Sequence, residues 1–164
     1  MAPRTSQRQP GLRHLLLRVP VPWVFVLGYL AGVAVQALVT PLAPPGRHPR
    51  VRIAGVALLA IGALIAGWGL LTFRQARTTT VPGARSARLV TWGPYRFTRN
   101  PMYVGLTLAY TGEAAWLDQI WPLVLLPLVV AYVNGVVIPL EEATLRAVFG
   151  EAYDQYCNRV RRWL

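Results

Sequence analysis

Four apolar blocks, separated by stretches rich in arginine, proline and glycine, set the outline of the chain. They occupy about residues 19–39, 53–73, 102–117 and 120–140. A helix that crosses a bilayer needs about 20 consecutive apolar residues, and blocks one, two and four reach that length. The third has 16 residues, which cover only about 24 Å at the α-helical rise. Asp118 and Gln119 leave room for nothing longer than a tight turn, so blocks three and four are expected to form a helical hairpin. Residues 41–52 read as a loop from their proline and glycine content.

Block one could be the core of a signal peptide, but it exceeds the usual 7–15 residues and is read as a retained helix. Pro20 and Pro22 stand at its start, where a missing N–H does little harm. Block two carries Gly55, Gly62, Ala63, Ala66, Gly67 and Gly69, small residues that let membrane helices approach closely. Pro122, Pro127 and Pro139 in block four are tolerated when neighbours satisfy the freed carbonyls. Beyond residue 140 the pattern changes. Leu145, Val148, Phe149, Ala152, Tyr153, Tyr156, Val160 and Trp163 recur at helical spacing, with acids and arginines between them. This predicts one amphipathic helix over 141–164, lying at the interface.

Composition agrees with a membrane chain. Of 164 residues 54% are hydrophobic and 14% charged, against roughly 25% charged in soluble domains. All 17 basic side chains are arginine, and with six acids the formal net charge is +11. The arginines lie in the gaps between apolar blocks, which favours a membrane surface over nucleic acid. Four precede block one, three lie between blocks one and two, six between two and three, none between three and four, and four follow block four. With both termini inside, 14 arginines face the cytoplasm and three face out, the orientation that the positive-inside rule prefers. Trp116 and Trp121 then flank the outer turn as belt residues. The localisation expected is a multi-pass protein of a bacterial-type plasma membrane. Cys157 is the sole cysteine, which excludes an intrachain disulfide and a cysteine metal cluster. His14 and His48 are lone loop residues, and no metal is expected.

Three parts follow: a basic N-terminus (1–18), two membrane helices (19–73) and a third part (74–164) holding the candidate chemistry. Segment 74–100 and the tail from Glu141 would share the cytoplasmic face, where a soluble cofactor could reach them. Two clusters stand out. One runs Leu89-Val90-Thr91-Trp92-Gly93-Pro94-Tyr95-Arg96-Phe97-Thr98-Arg99-Asn100-Pro101-Met102-Tyr103-Val104-Gly105. The other is Glu141-Glu142, followed by Phe149-Gly150, Tyr153 and Tyr156.

In order and spacing these clusters resemble the isoprenylcysteine carboxyl methyltransferase and phospholipid methyltransferase superfamily. The family pattern is Gly-x-Tyr, Arg-His-Pro-x-Tyr-x-Gly, a membrane helix or two, Glu-Glu and a Phe-Gly-x-x-Tyr tail. Here it covers about residues 80–160. The resemblance implies a methyltransferase core over 74–164 and S-adenosyl-L-methionine as cofactor. It implies cofactor contacts from Ala87, Arg88, Leu89, Val90, Tyr95, Asn100, Pro101, Met102, Tyr103 and Glu141, and catalytic roles for Arg99, Asn100, Tyr103 and Glu142. Two positions depart from the pattern. Asn100 replaces a histidine, keeping hydrogen bonding without titration. Val137 stands where an arginine serves the prenylcysteine substrate.

The residue chemistry is compatible with that cofactor. A carboxylate such as Glu141 accepts from amino or ribose groups, and Arg96 or Arg99 could pair with a carboxylate bidentately. Tyr95 and Tyr103 could stack on adenine or face a sulfonium. Methyl transfer to a carboxylate needs alignment and exclusion of water rather than a base, whereas an amine must first lose a proton. Each piece alone also has a structural reading. Glu141-Glu142 suits a helix N-terminus, Arg96 and Arg99 suit membrane anchors, Tyr153, Tyr156 and Trp163 suit interfacial packing, and Asn100-Pro101 suits a turn. Glu113 and Asn134 are polar groups inside apolar blocks and so functional candidates by default.

The expectation is therefore an all-α integral membrane protein with four transmembrane helices and a C-terminal cytoplasmic interfacial helix. It would move a methyl group from S-adenosylmethionine to a carboxylate or amine of a lipophilic acceptor, in the manner of isoprenylcysteine carboxyl methyltransferase. Phospholipid N-methylation is the alternative enzyme reading, and a non-catalytic scaffold the alternative from another class. The partners expected are the lipophilic or lipid acceptor and membrane lipids, without nucleic acid; the sequence leaves the oligomeric state open.

Overall fold

A computed structural model describes residues 22–39, 48–76 and 88–164. The basic N-terminus, most of the loop before block two and Ala87 lie outside the described residues. Among the described residues there are five helices and no strand: α1 (Pro22–Leu38), α2 (Pro49–Gln75), α3 (Pro101–Trp116), α4 (Ile120–Phe149) and α5 (Glu151–Arg159). A 3₁₀ turn, Gly93–Arg96, precedes α3. Each apolar block thus becomes a helix. Two of them, α2 with 27 residues and α4 with 30, are long and apolar enough to cross a membrane.

α2 and α3 run antiparallel and meet backbone to backbone. A Cβ built on Gly105 would sit 2.6 Å from both the Ala66 nitrogen and the Gly62 oxygen. One on Gly55 would sit 2.6 Å from the Trp116 nitrogen. Gly55, Gly62 and Gly69 recur every seven residues on α2, and Gly105 and Gly112 answer them on α3. Small residues at such spacing make a seam by which apolar helices associate through packing alone. The other side of α3 faces α1 and α4. Phe25 and Tyr29 of α1 join Tyr103, Tyr110 and Ala114 of α3 and Val129, Val133, Val137 and Ile138 of α4 in one buried cluster.

The hairpin turn between α3 and α4 holds Asp118 at φ 54°, a left-handed conformation that aspartate tolerates. Tyr29 Oη donates to Gln119 Oε1 at 2.7 Å, and Tyr110 Oη to the Pro122 carbonyl at 2.9 Å. These bonds fix one end of the molecule. At the opposite end lie the end of α2, the start of α3, the 3₁₀ turn and the tail. Arg50 and Arg52 belong to the first end; Arg74, Arg88, Arg96, Arg99, Arg146, Arg159, Arg161 and Arg162 belong to the second.

Two features differ from the sequence reading. First, the tail is not one amphipathic helix. α4 runs through the acids at 141–142 to Phe149, because glutamate interrupts hydropathy but not helix formation. Gly150, at φ 51°, then turns the chain into the nine-residue α5, and Val160 is extended. Of the arginines that suggested a solvated helix face, Arg146, Arg159 and Arg161 are exposed, and Arg162 is drawn inward to a carboxylate, described below. Second, α4 contains a π-turn at Val133–Val137. Pro139 offers no N–H to the Gly135 carbonyl and its ring crowds that oxygen, and widening the helix there relieves the conflict.

The seam between α2 and α3 makes a direct prediction. Gly105→Leu is expected to lower stability by about 3 kcal/mol, the upper end of the overpacking range, since backbone on the facing helix cannot yield. Gly67→Leu, which meets nothing within 4 Å, is expected to leave it unchanged. Thermal unfolding in detergent checks both; equal effects would contradict the seam.

Candidate active site

The approach to α3 is built as a rigid ledge. Val90, Ala76 and Tyr95 form a small buried cluster against Phe73. The rings of Phe73 and Tyr95 meet edge to face at 5.0 Å. Gly93, at φ 62°, lies against Thr72 of α2. From the tail, Tyr156 Oη donates to the Tyr95 carbonyl at 2.7 Å. Tyr95 Oη is buried without a hydrogen-bond partner among the described residues. Burial first, then the negative charge of its neighbours, raises the Tyr95 phenol far above its ordinary pKa, so it stays a neutral donor.

The two glutamates of α4 have opposite surroundings. Tyr103 Oη, from the first turn of α3, donates to Glu141 Oε1 at 2.7 Å. Glu142 is gripped by two arginines. Arg162 reaches it through Nε (3.0 Å to Oε1) and Nη2 (2.7 Å to Oε2), and Arg99 through Nη2 (3.0 Å to Oε1). Among the described residues no arginine forms a salt bridge with Glu141. The pair therefore divides into a neutralised carboxylate and one whose described partner is a tyrosine hydroxyl.

The end of the chain closes over this arrangement. Arg99 Nη1 donates to the carbonyls of Cys157 (3.1 Å) and Val160 (3.0 Å), and its backbone N–H to that of Arg161 (2.8 Å). Thr98 Oγ1 and Asn100 Nδ2 both donate to the Arg162 carbonyl at 3.0 Å. Trp163 Nε1 donates to Asn134 Oδ1 at 2.9 Å. The π-turn brings Asn134 into reach. Eight ordinary helical steps from 134 to 142 would leave the two side chains about 80° apart; with the widened turn counted as one inserted residue, they fall within about 20°.

A family model described as phospholipid methyltransferase matches residues 51–152. This chain belongs to the phospholipid methyltransferase family. No curated protein and no solved structure matches it. Membership identifies an integral membrane protein of a methyltransferase family, in keeping with the two long apolar helices. The matched span holds Tyr95, Arg99, Tyr103, Asn134, Glu141 and Glu142, whereas Tyr156, Arg162 and Trp163 lie beyond it. Of the two acceptor readings drawn from the sequence, the family's description favours the phospholipid one.

The structure places the sequence-nominated residues unevenly. Arg99, Asn100, Tyr103, Glu141 and Glu142 converge at one end, through the contacts just given. Tyr95 and Val90 are buried beside them, Leu89 is half-buried and Arg88 exposed. Pro101 is fully buried as the first residue of α3, and Met102 packs on Gly69 of α2. Arg96 is exposed, its guanidinium 5.3 Å from the Phe97 ring. Sequence reasoning missed Arg162 and Thr98 and left Trp163 among packing residues. Its one usable signal was Asn134, a polar group deep in an apolar block with no stated partner.

Because Arg99 joins α3, α4 and the tail, Arg99→Met is expected to cost roughly 2–3 kcal/mol. It is also expected to speed amide exchange most at residues 157–163. Exchange unchanged there, measured by mass spectrometry in detergent, would contradict the clamp.

Proposed function

We propose that this chain is a multi-pass membrane enzyme that transfers a methyl group from S-adenosylmethionine to the amine of a phospholipid headgroup. The observation that carries the reading is the contrast between the glutamates. Glu142 is neutralised by two arginines, while Glu141 meets Tyr103 at 2.7 Å. A carboxylate without a guanidinium partner suits a cationic ligand rather than an anionic one. The surroundings suit the cofactor in one further way: Tyr95 carries a buried hydroxyl without a hydrogen-bond partner among the described residues, a donor for a bound ligand.

When bound, S-adenosylmethionine supplies an electrophilic methyl group on a positively charged sulfur. Glu141 would accept hydrogen bonds from its amino or ribose groups, with Tyr103 holding the carboxylate in place. Arg99 and Arg162 are occupied by Glu142, which leaves the exposed Arg96 and Arg88 for the cofactor's carboxylate. Arg99, Asn100 and Glu142 then act by holding the site's shape. Leu89, Val90, Pro101 and Met102 form its apolar backing, and Ala87 completes the cofactor segment by family resemblance.

An amine acceptor is favoured over a carboxylate at Val137. That side chain is buried in the apolar core, 8% exposed, where an arginine would serve a prenylcysteine. The closed seam between α2 and α3 leaves the α4 side as the route from the lipid. We read α1 and α3 as spanning helices too, giving four, with the arginine-rich end in the cytoplasm. α5 and the residues after it would lie at that interface.

Membranes holding the full chain, incubated with methyl-labelled S-adenosylmethionine, test this. Label is expected in lipid, in a form from which mild base releases no volatile methanol, and reduced at least roughly 10²-fold by Glu141→Gln. Volatile labelled methanol on base treatment would point to a carboxyl ester instead. A parent chain that labels no lipid would leave a scaffold.

A further inference from the structure

Beyond the region shared with the family, the chain ends in a strap, and we propose that Arg162 in that strap is a positioning residue for the methyl-transfer site. The inference rests on the methyltransferase reading. Among the described residues Arg162 makes no hydrogen bond to Tyr103 or Glu141; it acts through Glu142. Its guanidinium takes both oxygens of Glu142, at 3.0 and 2.7 Å, and its Nη1 lies 3.5 Å from Asn134 Oδ1. It therefore bridges two points of α4, one within the π-turn and one beyond it. Its carbonyl accepts from Thr98 and Asn100, the two residues flanking Arg99 at the head of α3. One residue thus ties the helix that carries Tyr103 to the helix that carries Glu141.

The consequence is geometric. Glu141 and Glu142 are neighbours on one helix, so fixing the second fixes the rotation and height of the first. A forked, two-point contact defines orientation in a way that a single ammonium contact does not. Trp163 secures the strap at the same Asn134 Oδ1, with its indole N–H on that oxygen and its ring against the apolar core. The neighbouring Arg159, exposed at the end of α5, donates only to Gln155 within its own helix among the described contacts. It has the same charge and no part in the bridge.

The test is steady-state methylation by the full chain in lipid nanodiscs, with folded protein quantified by monodisperse elution. Arg162→Ala is expected to raise the KM for S-adenosylmethionine at least roughly tenfold, since misplacement of this order costs up to about 10²-fold. Millimolar guanidinium is expected to restore much of that loss. Arg162→Lys, whose ammonium can offer Glu142 a single-point contact, is expected to fall between parent and alanine, and Arg159→Ala to match the parent. A lower kcat at unchanged KM, in proportion to lost folded protein and without guanidinium rescue, would overturn the proposal by reducing Arg162 to a fold-stabilising residue. So would unaltered kinetics in Arg162→Ala. A parent chain with no transfer at all would overturn the methyltransferase reading itself, a result distinct from either.

Discussion

One carboxylate organises the arginine-rich end of this molecule. Glu142 receives guanidinium groups from the head of α3 and from the chain's last residues, both within hydrogen-bond distance. Removing a carboxylate from water is costly unless charge and hydrogen bonds replace the lost solvation. Two arginines more than neutralise it, and the surplus positive charge is dispersed over the carbonyls of Cys157 and Val160 that Arg99 Nη1 also meets. The assembly therefore pairs opposite charges while joining three segments far apart in sequence, with Arg99 Nε left buried and without a hydrogen-bond partner among the described residues. With Glu142 so engaged, Glu141 is directed to Tyr103, and the adjacent acids serve different ends.

The rest of the fold brings these groups to one height. The glycine seam sets α3 against α2, and the aromatic and β-branched cluster sets α1 and α4 against its other side. Tyr103 and Glu141 are 38 residues apart and belong to helices joined by a three-residue turn. The hairpin returns the chain to the same end, so length alone places Tyr103 near the residues that follow block four. The π-turn corrects the rotation, bringing Asn134 onto the face of Glu142 and into the reach of the tail.

Much of this was legible in the residues. The four apolar blocks became helices, and the paired motifs around Tyr103 and Glu141 lie together. Hydropathy carried the first result because helix length and apolar run length coincide in α1 and α3. It misjudged the end of α4, since Glu141-Glu142 ends an apolar run without ending a helix. It also misjudged the tail. Leu145 through Trp163 keep a helical period, but the contacts that decide the outcome are long-range. Arg162 leaves the helical pattern for Glu142, Thr98 and Asn100, and no local pattern reports such partners. Asn100 shows the same limit. As a substitute for histidine it keeps hydrogen bonding without titration, but the partner its amide takes, the Arg162 carbonyl, lies 62 residues away.

The central claim is that Tyr103 and Glu141 form the grip for a sulfonium-bearing cofactor. Calorimetric titration of S-adenosylmethionine into the purified full chain in detergent tests it most directly. The account predicts saturable binding by the parent, weakened at least about tenfold in Glu141→Gln, a loss of roughly 1.4 kcal/mol or more. Absence of binding by the parent, or equal affinity in the variant, would contradict it.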